Sequence, residues 1–120
     1  MTDLTMGAVE AKFADIIWQS EPITSTELWK KSEKMLGWKK STTFTVLKRL
    51  CDKGIFKIEG GCVTSKISRD EFYSAKSDHF VNETFDGSLP AFLAAFTKRK
   101  ALSSEEIQDL KKLIAEYEEE

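Results

Sequence analysis

Apolar residues in this chain recur at helical spacing through most of its length, interrupted once by a short β-rich run. Val9, Phe13, Ile16 and Ile17 stand at i, i+4, i+7 and i+8, which predicts one apolar face of a first helix. That helix should open near Gly7, with Glu10 reaching back to the cap, and should stop before Pro22. Thr24 and Glu27 have capping-box spacing ahead of a second helix whose buried side is marked by Leu28, Met35 and Leu36 and whose end is marked by Gly37. A third helix is expected from Ser41 or Thr42 to Gly54, with Thr43, Val46, Leu47 and Leu50 inward.

The pattern then changes period. Ile55, Phe56 and Ile58 precede Gly60-Gly61, and Cys62 to Ile67 can return as a second strand, the signature of a hairpin. Three helices with a short connection between the second and third, followed by a hairpin, predict a winged helix-turn-helix. Helical spacing resumes afterwards. Ser68 and Glu71 open a helix to about Phe85, and Asp86-Gly87 breaks it. Ser88 and Pro90 start a short helix, and Ser103 with Glu106 starts the last one. The fold class is therefore mainly α with a small β-hairpin: a winged-helix domain over residues 1–67 and a helical region over 68–120.

The C-terminal helices pose a burial problem. They carry Phe72, Phe80, Phe85, Leu89, Phe92, Leu93 and Phe96, and then Ile107, Leu110, Ile114 and Tyr117 on one face of the last helix. Three short amphipathic helices cannot enclose a core alone. A second copy of the chain is the simplest cover, because most oligomers are symmetric homodimers. The alternative is that these faces fold back on the winged helix. His79 is expected at the same kind of surface.

Composition narrows the function. The 120 residues are 41% hydrophobic with a net charge of −2, enough for one compact unit and an appendage. Residues 23–66 nevertheless hold ten Lys/Arg against four acids, while both flanks are acidic. A basic middle suits a polyanion, although an uneven solvated surface would look the same. Nothing approaches the roughly 20 apolar residues of a membrane span and the N-terminus is no secretory signal, so cytoplasmic residence is the expectation. Two cysteines without CxxC spacing and one histidine argue against structural zinc, a cofactor and enzymatic chemistry.

The candidate chemistry lies on the third helix. A recognition helix offers its outer face, mostly its N-terminal turns, to the major groove of double-stranded DNA. The outward candidates are Lys39, Lys40, Ser41, Thr42, Phe44, Thr45 and Lys48, with Arg49, Lys53 and Lys57 as phosphate contacts at the helix end and wing. Phe44 could meet a thymine methyl or pack on the second helix or wing. Thr42 could be the N-cap, and Arg49 could pair with Asp52 or Glu10. Trp18, Trp29 and Trp38 suit core or groove walls. Cys51 behaves as a small buried hydrophobe. A winged-helix protein-interaction module without DNA activity is the competing reading.

Taken in order, Leu4-Thr5, Glu10, Ile17-Trp18, "PITSTEL" (22–28), Trp38, "STTFTVLKRLCDKG" (41–54), "SRDEF" (68–72), "FDGSL" (85–89), "AAF" (94–96) and "LSSEEI" (102–107) resemble the penicillinase repressor family. That family includes β-lactamase and methicillin-resistance repressors and a copper-responsive relative. The resemblance implies a dimeric winged-helix repressor on inverted-repeat operators, with the helices after the wing as dimer module. It places Thr42, Thr45 and Arg49 on the recognition pattern. For members that control β-lactam resistance it also implies inactivation by a membrane receptor-protease, which maps the cut to Ala95–Phe96; the same stripe can equally be packing alone. The wing "IEGGCVTSK" departs from the family's Gly-Arg and tyrosines, and Phe44 replaces a more polar or longer residue. No cysteine follows Cys62, which disfavours the copper-responsive branch.

Overall fold

The structure is a computed structural model that describes residues 3–119. Its elements run α1 (Ala8–Ser20), β1 (Ile23–Thr24), α2 (Ser25–Leu36), α3 (Lys40–Asp52), β2 (Phe56–Glu59), β3 (Cys62–Ser65), α4 (Arg69–Phe85), α5 (Leu89–Thr97) and α6 (Ser104–Glu118). This is the expected mainly helical winged helix followed by a helical region. The chain divides into two compact units, Met1–Ser77 and Asp78–Glu120, so the first half of α4 packs with the winged helix.

Local chemistry sets most of the boundaries. Gly7 caps α1 and Glu21, before Pro22, ends it. Thr24 Oγ1 accepts from the Glu27 amide. Gly37 stops α2 at φ 70°, a left-handed conformation in which glycine is least strained. Gly60 and Gly61, at φ 58° and 78°, form the two-residue wing turn, and both central residues of such a turn favour left-handed backbone. Glu59 pairs with Cys62 across it.

Several expectations are corrected. The inward position of the first turn of α1 goes to Glu10, three residues before Phe13, which leaves Val9 54% exposed. Glu10 makes no capping bond. In α2 the buried ridge is Leu28, Ser32 and half-buried Leu36, spaced four apart, so Met35 falls one position off it and is 63% exposed. Ser32, though polar, is fully buried. The sheet also has a third strand: β1 pairs with β3 through Ile23–Val63 and Thr24–Cys62, in strand order β1-β3-β2. A two-residue strand carries no periodicity to read.

The core of the first unit gathers Phe13, Ile17, Leu28, Leu47, Leu50, Ile55, Phe56 and Val63. Trp18 bridges its edge, donating from Nε1 to the Ile67 carbonyl at 3.1 Å and tilting against Phe56, Phe72 and Tyr73. Trp38 closes another side against Phe13, ring centroids 5.1 Å apart. Phe72 belongs here. Grouped by sequence with the C-terminal apolar face, it is fully buried in the first unit instead, because the first turns of α4 bring it onto Trp18.

In the second unit Ser88 and Ser103 cap α5 and α6 as expected. Ser103 and Glu106 complete a reciprocal capping box, whose hydrogen bond from the Ser103 amide holds the Glu106 carboxyl below its ordinary range. Phe80, Phe85, Phe92 and Phe96 form a chain of ring contacts 5.6 to 6.2 Å between centroids. Among the described residues, none after Phe72 is buried.

Candidate nucleic-acid interface

The inward face of α3 is Thr43, Val46, Leu47 and Leu50, all as read from the sequence. Its opposite face is exposed at Ser41, Thr42, Thr45, Lys48 and Arg49, positions that recur at three- and four-residue spacing and so form one strip. The helix begins one residue before the expected Ser41. Lys39 occupies the N-cap with no side-chain cap, which removes Thr42 from that role and leaves it in the first turn. Thr45 Oγ1 donates to the Ser41 carbonyl at 2.9 Å, so only its acceptor capacity faces outward.

The cations of this face fall into two groups. Arg49 and Lys53 both face Glu10 of α1 at 3.7 Å. Lys53 also donates to the Thr5 carbonyl, and its side chain is only 16% exposed. Lys57 pairs with Glu59 two residues along β2 at 3.4 Å. Lys39, Lys40 and Lys48 have no carboxylate partner among the described residues. The strongest unneutralised charge therefore sits toward the N-terminal end of α3, and the helix end contributes a half-exposed Arg49 shared with Glu10.

Phe44 is half-buried and packs against the core. Lys40 Nζ lies over two rings, 5.5 Å from the centroid of Trp29 and 5.9 Å from that of Phe44. This cluster draws on both α2 and α3 and was not read from the sequence. The i to i+4 spacing of Lys40 and Phe44 was available, but the approach of Trp29 from another helix was not. Cys51 and Cys62 are free, half-buried thiols. Burial, with Asp52 assisting, pushes the Cys51 thiol up, away from the reactive thiolate. Among the described residues no cluster of His, Cys, Asp or Glu could hold a metal ion, and no helix is long and apolar enough to cross a membrane.

The residues assigned to a C-terminal interface are distributed as follows. Leu89, Phe96, Ile107, Ile114 and Tyr117 are exposed, Tyr117 by 71%, and so is Phe80. Phe85, Phe92, Leu93 and Leu110 are half-buried, and Leu113 joins the exposed set. Between α5 and α6 runs a groove of about 430 Å³ floored by Phe92, Leu93, Phe96 and Leu110 and edged by Glu106 and Asp109. Ala95 and Phe96 are both exposed in the last turn of α5. His79 is exposed on α4.

The sequence is 30% identical over 112 residues to the penicillinase repressor of Bacillus licheniformis, covering 90% of this chain and 88% of that protein. It is 21% identical over 113 residues to the methicillin resistance regulatory protein MecI of Staphylococcus aureus, covering 91% and 92%. The penicillinase repressor family model matches residues 6–116, nearly the whole chain. The winged helix, its outward basic helix and this match agree, and the chain belongs to the penicillinase repressor family of DNA-binding transcriptional repressors.

Proposed function

We propose that the protein represses transcription as a homodimer on an inverted-repeat operator, with the first unit binding DNA and the second dimerising. One observation carries the dimer: the second unit buries no described residue while holding Leu89, Phe96, Ile107, Ile114 and Tyr117 in the open. Covering large apolar side chains is worth about 1.5–3 kcal/mol each, and a symmetric partner offers the same faces in return. Each subunit would then present the strip Ser41, Thr42, Thr45, Lys48 and Arg49 to one half-site, with Lys39 and Lys40 on phosphates.

Anisotropy of a labelled duplex tests the DNA contact. With about 6–10 phosphate contacts per dimer, affinity should fall roughly 10³–10⁵-fold between about 50 and 200 mM salt. Binding that ignores salt would overturn the reading. Sedimentation of the full chain tests the dimer, and a monomer at tens of micromolar would refute it.

Both relatives are named for antibiotic resistance, and we propose that the genes repressed here include one that counters a cell-wall antibiotic. Relief of repression by a receptor-protease would act at Ala95–Phe96. Exposure of both residues near the end of α5 supports this site, since a cut inside a helix requires local unfolding and helix ends open most readily. Mass spectrometry of the chain from its own cells, with and without a β-lactam, decides the matter. Derepression with the chain intact would eliminate cleavage.

A further inference from the structure

Three of the six cations on the DNA-facing side are restrained by acids. Glu10 faces Arg49 and Lys53, and Glu59 faces Lys57. Lys40 is restrained differently, with its ammonium over the rings of Trp29 and Phe44 at 5.5 and 5.9 Å, within the roughly 6 Å reach of a cation–π contact. The consequence for a phosphate is opposite in the two cases. A carboxylate partner cancels the charge it orders, whereas a neutral ring orders the side chain and leaves its full positive charge available.

Trp29 strengthens the case. Its Nε1 is shielded from solvent and has no hydrogen-bond partner among the described residues. Burying an unpaired N–H is unfavourable, so an aliphatic residue of similar size would pack there without that cost. What the indole offers in exchange is its face, and that face carries Lys40. A free lysine loses several rotamers when it holds a phosphate. One already resting over two rings has lost part of that freedom before DNA arrives.

We infer that Trp29 and Phe44 are positioning residues that hold the Lys40 ammonium for a phosphate of duplex DNA, and that Phe44 acts through Lys40 and does not read a base. This rests on the proposal that the outer face of α3 meets DNA. The experiment uses the full chain, a fluorescein-labelled duplex of random sequence, and salt from about 50 to 200 mM. If the unaltered chain fails to bind, the DNA-contact reading itself fails, and this inference with it. If it binds, Lys40→Ala should flatten the slope of log K against log salt by about 0.9 per subunit.

Trp29→Leu and Phe44→Leu should each keep the slope, because the charge remains, and lose about 2–10-fold in affinity per subunit. Trp29→Phe should restore most of the loss. The decisive measurement is the double change: Trp29→Leu should cost nothing further on a Lys40→Ala background. An undiminished loss there would mean that the indole only shapes the helix pair, and would overturn the inference. Should Trp29→Leu not fold, Phe44→Leu gives the same cycle. The unaltered chain supplies an independent readout: the Lys40 ε-methylene protons should be shifted upfield by ring currents, and random-coil shifts would equally overturn it.

Discussion

The two compact units are built from the same kinds of residue and reach opposite outcomes. In the first, Phe13, Phe56 and Phe72 are wholly buried. In the second, Phe80, Phe85, Phe92 and Phe96 touch one another, yet each stays partly or largely open to solvent. The difference is one of layers. The first unit has three helices, the start of a fourth and a sheet, so the main apolar faces meet another element. The second has two short helices and the end of a third, which can line up their rings but not enclose them. Apolar periodicity says which face seeks cover and is silent about what supplies it.

The sharpest break of this comparison is a pair of matched truncations to alanine. Phe72→Ala should lower unfolding stability by about 3–5 kcal/mol at any protein concentration, measured by urea denaturation. Phe92→Ala should act chiefly on association, with a midpoint that depends strongly on concentration. Equal, concentration-independent losses would mean that the second unit has a self-sufficient core.

Chain ends come next. A chain ending at Ser77 should melt cooperatively and sediment as a monomer, because Phe72 and Tyr73 stay on Trp18. One ending at Ile67 loses both rings and should melt at least ~10 °C lower, since about 2 kcal/mol already shifts a domain of this size by roughly 8 °C or more. Similar melting of the two would place Phe72 outside the cooperative core.

A smaller effect is expected at the charged end of α3. Glu10→Gln removes the acid shared by Arg49 and Lys53. Affinity for any duplex should rise about 2–5-fold at low salt and converge with the unaltered protein as screening grows. A fall in affinity would mean that Glu10 serves DNA binding by holding Arg49 in place.

The smallest effect belongs to the cap of α6. Hydrogen bonds from Ser103 hold the Glu106 carboxyl below its ordinary 4.5. The contribution of this cap is therefore complete above that value and is lost as pH falls through the lowered one. A carboxyl titration followed by NMR should find Glu106 below its ordinary value, and Ser103→Ala should bring it back up.

What the sequence determined by itself is what neighbouring residues settle among themselves. Thr24, Ser88 and Ser103 announce helix starts because a hydroxyl reaches an amide three residues on. Gly60-Gly61 announces the wing because two left-handed residues in succession favour glycine. The inward stripe of α3 is legible because it repeats with the turn of the helix. The basic strip opposite it was legible for the same reason, together with the fold class and the family that those motifs carry. Tertiary structure decided the rest, through contacts between residues far apart in the chain: Ile23 on Val63, Phe72 on Trp18, Glu10 between Arg49 and Lys53, Trp29 over Lys40. Spacing fixes which way a side chain points along its own helix. The partner it meets there depends on how the other elements pack.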